Sequence, residues 1–237
     1  MNYQKLLSTA IVLGGAVAFT ALGSVSAEAK MKRISIGTNP AGTTYFVLGG
    51  LFAKTFQEKL GIRSTAQPHA GSSVYLPLLN KGELTMGLNS SLDSAMAYTG
   101  VKPYKAPTKK VRSLARIWQL PYVYFVRTNS GIKSLADLKG KRVVINLKSN
   151  VSLGQLNRTI LATAGLKPSD VKEVTAGNIP QNINTVVEGR ADAAVTALGI
   201  PLIRKANAGI PGGVTMLPIG PKATDAFMHA GMPGSRT

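Results

Sequence analysis

The chain has 237 residues, enough for one large domain or for two lobes of about 100 residues each. With 44% hydrophobic and 16% charged residues, its composition is that of a globular protein. It has no cysteine and only His69 and His229, which excludes disulfides, cysteine-ligated metals and thiol nucleophiles and leaves little material for a histidine metal site or a Ser-His-Asp triad.

Residues 1–27 read as an export signal. Lys5 supplies the charged start, Leu6 to Leu22 the apolar centre, and Val25-Ser26-Ala27 the small residues before a cut near Ala27. The expected location is therefore periplasmic. Losing Lys5 takes the formal charge from +18 to +17, since the signal contains no acid. The cations are spread from Lys30 to Arg236 with no interleaved aromatic platform. That pattern argues for a solvated basic surface and against a nucleic-acid partner.

The mature part alternates strand and helix signals, which predicts an α/β fold. Ile34 and Ile36 alternate with polar residues, so Ile34–Thr38 is a predicted strand. The chain breaks at Gly37, Asn39, Pro40 and Gly42, and a helix is expected over Thr43–Leu60, capped by Thr43 or Thr44 and closed by Gly61. A strand, a glycine-bearing loop and a helix N-terminus gather free amide hydrogens at one place, which suits an anion; the same pattern also fits a turn that only caps its helix. Gly37-x4-Gly42 has P-loop spacing but is followed by Thr43 where that motif needs lysine. A carboxylate-sized anion fits there better than a nucleotide.

Further along, Ile62–Gln67 reads as a strand, Ala70-Gly-Ser-Ser73 opens a helix through Leu79, Leu84–Leu88 is a strand, and a short helix lies around Asp93–Tyr98. Thr99–Lys110 is a linker. Val111–Trp118 and Tyr122–Arg127 are strand-like runs. A short helix is expected at Ser134–Leu138, a strand at Lys141–Asn146, and a helix over Val151–Ala164. Val171–Val174, Ala191–Thr196 and Val214–Leu217 are further strands, and Pro180–Glu188 and Leu202–Ala208 further helices. After Gly220 periodicity is lost. Leu78–Leu88 and Val186–Val195 share a plan in which a helix stops at glycine, a tight turn follows and a small-residue strand begins. That echo points to two lobes of like construction, 28–115 and 116–220, followed by an irregular tail at 221–237.

Ligands of open α/β sheets bind beyond the carboxyl ends of strands. Applied here, that rule collects Thr38, Asn39, Thr43, Tyr45, Ser72, Ser73, Asn89 and Ser90 from the first lobe. The second contributes Asn146, Ser149, Asn150, Gly199 and Pro201. The set is rich in hydroxyls, amides and backbone donors and poor in acids and bases. It suits holding a small anionic solute rather than transforming it, and calls for no cofactor, no metal and no catalytic group.

Ile36-Gly-Thr-Asn-Pro-Ala-Gly-Thr-Thr-Tyr45, Ala70-Gly-Ser-Ser73, Leu79-Asn-Lys-Gly-Glu-Leu84, Ser130–Val143, Val187-Glu-Gly-Arg-Ala-Asp-Ala193 and Gly199-Ile-Pro201 together resemble the TAXI-type solute-binding proteins of tripartite ATP-independent periplasmic (TRAP) transporters. The resemblance implies a two-lobed periplasmic binding fold of type II. It also implies capture of a glutamate-like amino acid or dicarboxylate by a monomer, and delivery to a membrane permease. Only through this resemblance does Gly37 join the ligand contacts. Hinges are expected around Arg116–Tyr122 and Thr196–Pro201. Where the family has a Gly/Pro-rich loop, this chain has Asn146-Leu-Lys-Ser-Asn-Val151, and Lys148 adds a cation. Family members continue with a strand returning to the first lobe, so the chain reads as C-terminally short. Two other readings remain open: a basic exported surface or adhesion protein without a small ligand, and an exported enzyme using His69.

Overall fold

The computed structural model describes residues 31–102 and 104–232. The expected export signal and the last five residues lie outside them. Among the described residues no helix is long and apolar enough to cross a membrane.

The first lobe is built on β1 (Arg33–Thr38), flanked by β2 (Arg63–Pro68) and β3 (Met86–Gly87), all parallel. Three helices belong to it: α1 (Thr44–Leu60), α2 (Ser72–Lys81) and α3 (Ser91–Thr99). Thr43 caps α1, its hydroxyl accepting from Phe46 N, and the left-handed Gly61 ends the helix. Ile34, Ile36, Tyr45, Ala53 and Leu88 form a thin core, with Phe52 and Phe56 stacked beside it at 6.0 Å.

The second lobe comprises β4 (Tyr122–Arg127), β5 (Arg142–Leu147), α4 (Ser152–Thr163), β6 (Lys172–Ala176), α5 (Ile179–Val187), β7 (Ala193–Ala197), α6 (Pro201–Gly209), β8 (Val214–Met216) and α7 (Asp225–Gly231). Its sheet runs β6-β5-β7-β4-β8 and is mixed: β5 pairs in parallel with β6 and β7, while β4 is antiparallel to β7 and β8. All five residues of β7 are buried, as a central strand of small residues covered on both faces requires. The core is much larger here, with Tyr124, Phe125, Val144, Ile145, Leu161 and Ile183 sealed from solvent. β3 and β7 hold the same place in their sheets, each beside the lobe's first parallel strand and each preceded by a left-handed glycine, Gly82 or Gly189.

Two sequence expectations fail. Val111–Trp118 forms no strand; Leu114 is 77% exposed and no ladder runs alongside it. A strand exists only against a neighbour, and among the described residues none borders this segment. Conversely, the stretch expected to be irregular after Gly220 contains α7. Thr224 caps it through Phe227 N at 3.1 Å, Met228 enters the core, and Gln155 Nε2 donates to the Gly231 carbonyl at 2.7 Å. Seven residues are too few to show a helical period in sequence. Among the described residues, the chain passes between the lobes once, through 111–121.

Candidate functional site

The lobes meet where the loops after β1, β5 and β7 face one another, and a cavity of about 20 Å³ lies between them. The first lobe lines it with Asn39, Thr43, Thr44 and Tyr45, the connection with Leu120, and the second lobe with Tyr122, Leu153, Ile179, Asn182, Val195, Thr196, Ala197 and Ile200. Three helices begin at this wall: α1 at Thr44, α5 at Ile179, and α6 just after Ile200. Each brings the positive end of its dipole to the cavity. The lining carries no acid and no cation.

Two lining tyrosines matter most. Neither the Tyr45 nor the Tyr122 hydroxyl forms a hydrogen bond with the described residues, so both donors are unspent. Burial lifts the ionisation of each well above the ordinary phenol range, and the Asp93 carboxyl adds to the effect. Both therefore stay protonated and able to donate. Trp118 packs edge-on against Tyr45, ring centroids 5.6 Å apart, and fixes that ring. Opposite, Asn182 donates to Val195 O at 2.7 Å and keeps its buried Oδ1 without a partner.

Beside the cavity the lobes are joined by polar contacts. Ser149 Oγ lies 2.9 Å from Ala70 O, its one proton shared with Gly177 O of its own lobe at 2.6 Å; Ser73 N donates to Ser149 O at 3.1 Å, and Val151 N to Ser73 Oγ at 3.2 Å. Asn150 Nδ2 reaches both Ser72 Oγ (3.1 Å) and Asn39 Oδ1 (3.3 Å). Ser72 Oγ in turn donates to Asp93 Oδ2 at 2.8 Å, and Ser90 Oγ to the same oxygen at 3.0 Å. At another corner Leu202 N donates to Gly42 O at 3.3 Å.

Asp93 sits in the first turn of α3, 4% exposed. Burial raises its pKa, opposed by hydroxyl donors from Ser152, Ser72 and Ser90, and burial wins. The sign follows from linkage: a carboxyl raised on folding stabilises most below its unfolded value and loses that contribution as pH rises through the folded one. On acidification from about pH 7 to about pH 4 the parent should therefore gain thermal midpoint relative to Asp93→Asn. Paired melting curves across that range test this; a difference independent of pH contradicts it.

Of the sequence-selected residues, Asn39, Thr43 and Tyr45 line the cavity. Ser72, Ser73, Ser149 and Asn150 lie beside it, engaged with one another across the lobes, and Ser90 caps α3. Gly37 and Thr38 are buried within the first lobe, where a Cβ on Gly37 would meet Leu84 Cδ1 at 2.8 Å. Asn89 Nδ2 is bound to Ser94 Oγ at 2.8 Å. Asn146 is not brought to the cavity: Arg158 donates to its Oδ1 at 2.9 Å and its amide donates to Glu173. Gly199 is exposed, Pro201 opens α6, and Lys148 is exposed rather than facing the cavity. Sequence reasoning missed Tyr122, Asn182, Thr196 and Asp93. Only Asp93 had a readable signal, the Ser90-x-x-Asp93 spacing of an N-terminal cap.

The pattern of the NMT1-like family matches residues 36–227. A protein of Brucella abortus (strain 2308), named only as a binding protein, is 28% identical over 165 residues, covering 69% of this chain and 46% of that one. The chain thus spans about half the length of the curated relatives it matches. Among solved structures, PhnD1 from Prochlorococcus marinus in complex with methylphosphonate aligns with a TM-score of 0.56 at 15% identity, over 81% of this chain and 74% of that one. The alkanesulfonate-binding protein SsuA from Xanthomonas axonopodis pv. citri, bound to MOPS, gives 0.55 at 18%, over 80% and 61%. An ancestral arginine-binding protein bound to glutamine gives 0.53 at 21%, over 78% of each. The fold is that of two-lobed solute-binding proteins.

Proposed function

Because the chain belongs to the NMT1-like family, we propose that it is an exported, periplasmic solute-binding protein that holds a small organic acid, such as a glutamate-like amino acid or a dicarboxylate, without altering it. One observation carries the reading: two unspent tyrosine hydroxyls and three helix N-termini converge on a cavity whose lining has no charged side chain. Neutral donors and dipole ends stabilise an anion. A cationic solute would instead need a carboxylate in the wall, and the lining offers none.

The solute's acid group would sit against Thr43, Tyr45 and Tyr122, with Asn39, Asn182 and Thr196 closing the far side. A cavity of about 20 Å³ admits one water-sized body. Uptake therefore requires the lobes to part about the 111–121 connection and close again. Delivery by a monomer to a TRAP-type permease rests on the resemblance of Ile36–Tyr45 and Gly199-Ile-Pro201 to TAXI-type proteins.

Calorimetry and thermal shift on residues 28–237 test the reading. The panel is glutamate, succinate, methylphosphonate, an alkanesulfonate and arginine. Saturable heat with at least one acid, and none with arginine, is expected. Binding of arginine alone, or of nothing on the panel, would overturn it.

A further inference from the structure

The Ser149–Ser152 turn does not point at the cavity; it is seated in the other lobe. Its carbonyl at Ser149 accepts from Ser73 N, its Val151 amide donates to Ser73 Oγ, and Asn150 bridges Ser72 and Asn39. Asn150 is 2% exposed, Ser72 0% and Asp93 4%, so water does not compete for these bonds. Behind Ser72 stands Asp93, which takes the Ser72 and Ser90 hydroxyls on one oxygen and orients Ser72 to accept from Asn150.

We infer that this turn is a clasp: Asn150, through Ser72 and Asp93, is a positioning group that sets the closed register of the two lobes. Among the described residues the lobes share one covalent passage, 111–121, which has no ladder partner and exposes Leu114 and Ile117. A single extended tether does not define a relative orientation, and a second attachment is needed. The clasp supplies it beside the cavity, so that Tyr122 of β4 and Thr196 of β7 come to face Tyr45. The clasp is independent of which solute is bound, and its failure leaves the solute reading standing.

Gly71 makes the inference testable without touching a hydrogen-bonding group. Its backbone is extended (φ 172), a conformation open to any residue, so alanine brings no backbone strain. A Cβ there, however, would collide with the Ser149 carbonyl and meet Asn150 Oδ1 at 2.5 Å, both from the second lobe. The three atoms nearest to that Cβ all belong to the Ser149–Asn150 pair, so the interlobe contact is what the change strikes first.

The experiment uses the native absence of cysteine. Spin labels at Gln57→Cys and Lys205→Cys, on exposed faces of α1 and α6, report the lobe-to-lobe distance, and hydrogen exchange reports the amides of Ser73 and Val151. In the parent background a single narrow distance is expected. Asn150→Ala and, separately, Gly71→Ala should broaden and lengthen it. Each should also speed exchange at Ser73 and Val151 by about tenfold or more, the size expected on losing a buried partner, with exchange at Val144 and Ile145 of β5 unchanged. An unchanged distance in both variants, or acceleration at β5 equal to that at Ser73, would overturn the clasp.

Discussion

Phe125→Ala should lower the thermal midpoint by about 6–20 °C, reflecting a loss of about 3–5 kcal/mol. Phe125 lies at the centre of β4, fully sealed, opposite Ala194 of β7 on one side and Met216 of β8 on the other. The small residues of β7 cannot expand into the space a deleted ring leaves, so the cavity persists and its cost is felt in full. Phe52→Ala is the matched control from the first lobe. That ring is only partly buried and stacks on Phe56 at 6.0 Å, and its loss should shift the midpoint by less than half as much. Differential scanning calorimetry on both variants measures this. Equal shifts would mean that the two cores contribute alike, against the contrast in their burial.

The contrast between the lobes also explains what could be read in advance. Local chemistry was legible: Thr43 as a cap, Gly61 as a stop, and the paired glycine turns at Gly82 and Gly189 that announce β3 and β7. Each depends on a few adjacent residues and on backbone geometry that glycine alone relieves. Long-range choices were not legible. The run Val111–Trp118 has strand composition, yet its state depends on a neighbouring ladder that no local pattern encodes. Asn146 reads as the carboxyl end of its strand, where a ligand residue would sit, but it lies inside β5 and bonds to Arg158 of α4, twelve residues on. Tyr122 and Thr196 sit inside strands, where an aromatic or a threonine reads as ordinary sheet composition; register across β4 and β7 places them at the cavity wall.

The same register bears on the rival readings. An enzyme using His69 would need that imidazole near a nucleophile, but its Nε2 is buried without a partner, its ring packs against Tyr75 at 5.8 Å, and burial lowers its pKa. No hydrogen-bonded nucleophile–base pair is built around it among the described residues. The curated relatives that the chain matches are named as binding proteins.

Removing both tyrosine hydroxyls should have the largest effect on binding. A hydrogen bond to a charged group contributes about 1.5–3 kcal/mol, so Tyr45→Phe or Tyr122→Phe alone should weaken an acid solute by about 10- to 100-fold. The two changes should be less than additive, because Tyr45 and Tyr122 lie close enough to act on each other's ionisation and would grip one acid group together. Stability should barely move, since neither hydroxyl has a partner to lose. That separation is the decisive feature. Titration calorimetry of the four forms against whichever panel acid binds the parent gives the affinities, and melting curves give the stabilities. Affinity retained in the double variant would show that the acid group rests on the helix N-termini alone. Affinity and stability falling together would assign the hydroxyls to the closed fold instead of to the solute.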